Sequence, residues 1–350
     1  MPAFCQHTRK PLKPLEDVYP AFHGLEKAED FAVSENGIIY YLKARSLDYG
    51  PDYFLSEYEA QYGKSYLDDE PNLRRLSASR LDWMDQTLVV SGAKVDWPEQ
   101  GPALLEIGSA AGFFLDEAND RGYRTLGVEI SDFASNFARG RGHSIFAGSF
   151  SSADLSGFLA AALGNGKVGK PEPNHWETQA LEANRSETKD SPTTDRRGKM
   201  KVENASQPGE GDAPSHNGQA ALDLIAAFYT LEHFPDQQFA FKRLARLLKP
   251  GGLLLLSIPS YHGPLFRCSP QTWLSSHPED HFADYSPDSL ALTLELYGLK
   301  QIAVRPASFH RKRACGWIRY LGDGFYKKWA LKHEFGDTME VLARKELPGH

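Results

Sequence analysis

Three sets of residues in this chain have types and spacing suited to chemistry. The first is the run Leu104-Leu105-Glu106-Ile107-Gly108-Ser109-Ala110-Ala111-Gly112-Phe113-Phe114-Leu115, an apolar stretch, a bend of small residues and a helix start. Such a bend turns backbone N–H groups and a helix amino terminus toward a ligand. Only small side chains at 108, 110 and 112 let the main chain come close to it. The second is Glu129, in Gly127-Val128-Glu129-Ile130-Ser131, a carboxylate at the end of the next strand-like run. There it can accept hydrogen bonds from both hydroxyls of a ribose. The third is a pair of histidines, His233 and His281, in the polar segments after two later apolar runs. Imidazoles that titrate near neutral pH can orient a reacting group or take its proton.

These residues need a frame that brings them together, and the hydropathy pattern supplies one. Between residues 103 and 259, short β-rich runs at 103–107, 125–130, 144–147, 222–228 and 253–258 alternate with helical stretches at 113–121, 132–139, 153–163 and 237–248. Alternation of this kind predicts a parallel sheet covered by helices, an α/β fold with its ligand crevice at the carboxyl ends of the strands. Lys249-Pro250-Gly251-Gly252 is expected to stop the fourth of these helices and turn into the next strand. Residues 51–100 are expected to form amino-terminal helices, with Tyr58, Tyr62 and Tyr66 as a packing stripe rather than a lid. Residues 1–50 show no sustained period. Residues 164–219 are rich in Gly, Pro, Ser, Asn, Glu and Lys, and are expected to be a disordered insertion, since they cannot bury enough apolar area to offset their ordering entropy. A further helix at 286–297, capped by Ser286 with Pro287 behind it, and strands at 300–304 and 338–343 complete the pattern.

Two cofactor classes use a bend of this shape. A dinucleotide fingerprint wants glycine where this chain has Ala110 and a small residue where it has Phe113, so a nicotinamide cofactor fits poorly. The order Glu106, Gly108, Gly112 and then Glu129 resembles class I S-adenosylmethionine-dependent methyltransferases of the small-molecule type, with Ala110 a departure at the central position. The resemblance extends to Leu231-Glu232-His233 and its neighbours Phe228 to Asp236, to Lys249-Pro250-Gly251-Gly252, and to His281 through Leu290.

The resemblance implies a Rossmann-like, seven-stranded, mostly parallel sheet with helices on both faces and the last strand antiparallel, formed by residues 101–163 and 220–350. It implies S-adenosyl-L-methionine as cofactor. Glu106, Gly108, Ser109, Ala110 and Gly112 would meet its methionine part and Glu129 its ribose, with Ile130, Ser149, Phe150 and Phe228 around the remainder. The acid that such enzymes often carry after the third strand is replaced by Ser149-Phe150, which leaves adenine to backbone groups and the Phe150 ring. His233 and His281 are the candidate catalytic residues.

Composition narrows the acceptor. The hydrophobic fraction of 41% and charged fraction of 24% are those of a globular chain. A net charge of −7 gives no general pull on phosphate backbones, and there is no Asn/Asp-Pro-Pro-Tyr or Pro-Cys run for base methylation, so nucleic acid is disfavoured. Arg311-Lys312-Arg313 and Lys327-Lys328 are expected to be a solvated face. A small-molecule or glycan-type acceptor is the expectation. No membrane span and no signal-type run are visible, so a cytoplasmic location is expected. The three cysteines, widely spaced, are expected to be free thiols, and no metal is expected. Two competing readings are a non-catalytic S-adenosylmethionine-binding interaction protein and an NAD-dependent oxidoreductase. Nothing in the sequence specifies an oligomeric state.

Overall fold

The computed structural model describes residues 4–47, 58–164 and 221–347. The expected insertion therefore lies outside the described residues except for Gly164, as do residues 51–57 of the expected amino-terminal helices. The strands in chain order are β1 (Lys13–Pro14), β2 (Phe31–Val33), β3 (Ile39–Tyr41), β4 (Ala103–Ile107), β5 (Arg124–Glu129), β6 (Ser144–Ala147), β7 (Leu222–Phe228), β8 (Leu248–Pro259), β9 (Ala283–Asp284), β10 (Leu299–Pro306) and β11 (Thr338–Lys345).

Seven of them form one sheet in the order β10-β11-β8-β7-β4-β5-β6. β4 pairs parallel with β5 and β7, and β7 pairs parallel with β8. β11 runs antiparallel to both β8 and β10. Every residue of β4 is buried, as expected for a central strand with both faces covered. Successive side chains point to opposite faces. Leu105 and Ile107 join one core cluster with Val128, Ile225 and Phe241, while Leu104 joins another with Leu81, Leu115 and Leu224. The chain leaves β4 toward β5 and β6, then returns to lay β7 on the other side of β4. That reversal is a topological switch point, and in α/β sheets ligands bind beyond the carboxyl ends of the strands at such a point.

Strand and helix positions follow the hydropathy pattern closely, with one correction. Lys249-Pro250-Gly251-Gly252 is not a turn between helix and strand. The helix Gln237–Leu247 passes directly into β8, which pairs Leu248 with Leu222 and resumes at Leu253 opposite Leu224. The proline and glycines form an irregularity inside the strand, with Gly251 at φ 79°. Proline lacks the N–H for regular pairing, and glycine takes up the bulge.

Residues 4–47 pack against the main sheet. β1, β2, β3 and β9, in that order, form a second, four-stranded antiparallel sheet, in which β3 pairs with β9. Phe22 and Phe31 bury themselves against Tyr261, Phe266 and Trp273. These strands are too short to show a hydropathy period, and their partner β9 is remote in sequence. Their placement fixes Asp284, which is opposite Ile39.

A buried ion cluster ties the helix Glu70–Ser91 to the far half of the sheet. Arg80 Nε donates to Glu340 Oε1 at 3.0 Å, and Arg305 Nε donates to Glu340 Oε2 at 2.7 Å. The Arg80 guanidinium lies 4.1 Å over the Phe228 ring, at the end of β7.

The cysteines correct a second expectation. Cys268 and Cys315 form a disulfide, and Cys5 alone is free, buried beside the Tyr40 hydroxyl. Sequence separation hides this pair, because the contact is made by two segments that meet only when the sheet closes. In denaturant without reductant, we expect a thiol-reactive dye to count one thiol per chain, rising to three after reduction. A count of three from the start would remove the bridge. Among the described residues, no helix is long and apolar enough to cross a membrane.

Candidate active site

The bend after β4 is held open by left-handed backbone at Gly108 (φ 72°), Ala110 (φ 45°) and Gly112 (φ 84°). A side chain at Gly108 would put its Cβ 2.5 Å from Thr230 Oγ1, and one at Gly112 would reach 2.8 Å from His143 Cδ2. Ala110 is strained by about 1–2 kcal/mol in this conformation. Its backbone N–H is held there by donation to Glu129 Oε2 at 2.7 Å.

Glu129 thus points into the bend. Its other oxygen, Oε1, accepts from the Ser131 N–H at 2.8 Å, and the residue is 4% exposed. Burial pushes its carboxyl above the usual range, while the Ser131 and Ala110 N–H groups work in the opposite direction. A carboxylate offers about four lone-pair sites, so it keeps capacity for a further donor.

Glu106 is buried near the end of β4, and its Oε2 has no hydrogen-bond partner among the described residues. Burial raises its carboxyl well above the usual range, against the pull of Arg80. The Ser109 hydroxyl is likewise buried and unpartnered among the described residues. Orphaned polar atoms beside a left-handed bend and a ribose-spaced carboxylate fit a cofactor carrying both an amino acid and an adenosine.

Around this nucleus, Ile130, next to Glu129, is 60% exposed. Ser149 is half-buried, and its hydroxyl is 2.7 Å from that of Ser151. Phe150 is placed differently from its expected stacking role. Its ring is buried in the core, edge-on to Phe234 with the Arg243 guanidinium 5.3 Å above it. Phe228 packs edge-on to Phe114 at 4.7 Å beneath Arg80, so it shapes the floor between β4 and β7.

The second half of the site follows β7. Thr230 Oγ1 donates toward the carbonyls of Ile107, at 3.2 Å, and Phe228, at 3.1 Å, and so ties the end of β4 to the end of β7. The next turn, Leu231–His233, carries Glu232 and His233. His233 and His281 meet edge to face with ring centroids 4.8 Å apart. His233 Nδ1 lies 3.0 Å from Asp280 Oδ2, and His277 Nε2 lies 2.8 Å from Asp284 Oδ2. Burial alone would lower the His233 pKa, but its hydrogen bond to Asp280 and the nearby Glu232 raise it above the ordinary histidine value. Asp284 is driven the other way: burial would raise its pKa, but His277 and His281 hold it well below the usual range.

A methyltransferase-domain family model matches residues 79–304, more than half of the chain. The chain belongs to that family. It is a methyltransferase.

No curated protein matches the methyltransferase. Solved structures similar to it include an S-adenosylmethionine-dependent methyltransferase from Archaeoglobus fulgidus, 14% identical with a TM-score of 0.43, covering 85% of this chain and 100% of that one. Another is a possible histamine N-methyltransferase from Thermotoga maritima, 16% identical with a TM-score of 0.41, covering 84% of this chain and 97% of that one.

The fold brings Glu106, Gly108, Ser109, Ala110, Gly112 and Glu129 of the methyltransferase into one nucleus, and His233 and His281 into another. Sequence reading placed Thr230, Glu232 and Asp284 within motifs but gave them no role, and passed over His277 and Asp280. The crowding of His277, Asp280, His281 and Asp284 was a signal in the sequence. Without periodicity it gave no hint that Glu232 lay alongside.

Proposed function

We propose that this methyltransferase moves a methyl group from S-adenosylmethionine to an oxygen or nitrogen of a small-molecule or glycan-type acceptor. The bend at 108–112, Glu106 and Glu129 would hold the donor, and His233 and His281 would face the acceptor. The observation that carries this reading is the Thr230 link, which sets the Glu129 bend and the histidine pair on one carboxyl edge of adjacent strands.

The donor supplies a methyl carbon on a positively charged sulfur, which departs as a neutral thioether. The residues of this chain then have a positioning task. Glu129 would accept from the ribose hydroxyls with its remaining lone pairs, and Glu106 would meet the ammonium of the methionine part. On the acceptor side, an imidazole held at Nδ1 by Asp280 offers Nε2 for a hydrogen bond to the attacking group. As the new bond to carbon forms and the sulfur–carbon bond breaks, the proton of a hydroxyl or amine acceptor would pass to that nitrogen.

The test is to incubate the full-length protein with methyl-labelled S-adenosylmethionine and a metabolite extract from which macromolecules have been removed. Labelled low-molecular-weight product and stoichiometric S-adenosylhomocysteine are expected. Label appearing only when nucleic acid or protein is restored would overturn the acceptor class.

A further inference from the structure

Glu232 is 1% exposed, and neither of its carboxylate oxygens has a hydrogen-bond partner among the described residues. A carboxylate buried in that state is costly unless something compensates it. Its surroundings are specific. One ligand-type atom from each of Glu232, His233 and His281 lies within 4.8 Å of the others. The loop carrying His281 is clamped to the turn carrying Glu232, because the Phe282 N–H donates to the Glu232 carbonyl at 2.8 Å.

Both imidazoles have an aspartate near Nδ1. His233 Nδ1 is 3.0 Å from Asp280 Oδ2, and His281 Nδ1 is 3.9 Å from Asp284 Oδ1. Asp284 is itself held from the other oxygen by His277 at 2.8 Å. A carboxylate on Nδ1 is the arrangement that fixes the tautomer and orientation of metal-ligating histidines, directing Nε2 toward the ion.

We propose that Glu232, His233 and His281 bind one divalent transition-metal ion, with Asp280 and Asp284 orienting the two imidazoles. Two nitrogens and one carboxylate suit zinc, cobalt, iron(II) or manganese(II) better than magnesium or calcium, which favour all-oxygen sets. Small side-chain rotations bring the three groups onto metal–ligand bonds of about 2.0–2.2 Å. Cysteine plays no part, so a search for cysteine-based metal motifs passes over the site.

Three protein ligands leave coordination positions open toward the crevice. An oxygen acceptor bound there would lose its proton to solvent more readily, since a divalent ion lowers the pKa of a bound oxygen. The two histidines would then act as ligands rather than proton acceptors. That use of the ion rests on the methyl-transfer reading, whereas the existence of the site does not.

The experiment strips the full-length, tag-free protein with chelator and dialyses it. Zn²⁺ is then titrated by calorimetry, and Co²⁺ is followed by its visible absorption. One ion per chain is expected, with Mg²⁺ binding at least about 100-fold weaker by the preference of nitrogen-containing sites. Glu232→Gln, which keeps the volume, and His281→Ala should each weaken Zn²⁺ at least about tenfold, with an unchanged urea midpoint. Protein that takes up no Zn²⁺ or Co²⁺, binds Mg²⁺ equally well, or binds Zn²⁺ undiminished in Glu232→Gln overturns the site. S-adenosylhomocysteine binding measured on the same samples keeps the two readings apart. Its presence without metal uptake sinks this inference alone, and metal uptake without it sinks the proposed function alone.

Discussion

Replacing Glu129 by Ala should weaken S-adenosylhomocysteine binding about 100-fold, equivalent to about 2.7 kcal/mol. The figure is of the order lost when hydrogen bonds to a charged acceptor disappear. Glu129 has two tasks that the substitution removes together. Its oxygens hold the Ala110 and Ser131 N–H groups, and so keep residue 110 in a left-handed conformation that alanine would otherwise avoid. They also retain the lone pairs proposed to receive the ribose. Glu129→Gln separates the tasks, since one amide oxygen can still brace the bend but the charge is gone. An intermediate loss of about tenfold is expected there. Calorimetry with S-adenosylhomocysteine measures both variants, and a urea midpoint for each checks that the fold survives. A loss below threefold in Glu129→Ala would mean that the carboxylate serves the bend and not the ligand.

His233→Ala should behave in the opposite way. Turnover in the labelled-methyl assay is expected to fall by about 100-fold or more, the range for losing a group that handles the transferred proton or orients the nucleophile. S-adenosylhomocysteine affinity should stay within about threefold of the parent, because a residue that acts on the acceptor side changes kcat without changing donor binding. The geometry predicts this separation. His233 lies on the turn after β7 with His281 against its ring, while the donor-side residues lie on the turns after β4 and β5. The effect holds whether the imidazole takes a proton or a metal ion. Equal losses of turnover and affinity would assign His233 to bracing the loop.

Much of this arrangement was legible in the residues because it is local. An apolar run that stops at a string of small residues and restarts as a helix can be read within a dozen positions, and Gly108, Ala110 and Gly112 do take up left-handed backbone. Glu129 follows from the same logic, since the end of the next parallel strand must lie beside the end of β4. The alternation of strands and helices settled the α/β class, and the hydropathy runs found the strands of the large sheet within a few residues of their ends, β8 apart.

Contacts between remote segments were beyond reach. The four-stranded sheet of residues 4–47 depends on β9, and strands of two or three residues carry no period. The Cys268–Cys315 bridge, the Arg80–Glu340–Arg305 cluster and the burial of the Phe150 ring each join pieces that local pattern cannot pair. The sequence by itself determined the class of fold, the small-residue bend with Glu129 as its neighbour and the two histidines worth watching, because backbone conformation and hydropathy act over short stretches. Only the tertiary structure decided that Glu232 is buried without a hydrogen-bond partner among the described residues, beside two aspartate-held imidazoles. Such a cluster is made by chain reversal and loop packing, whose energetics depend on what lies across the crevice rather than on what lies next along the chain.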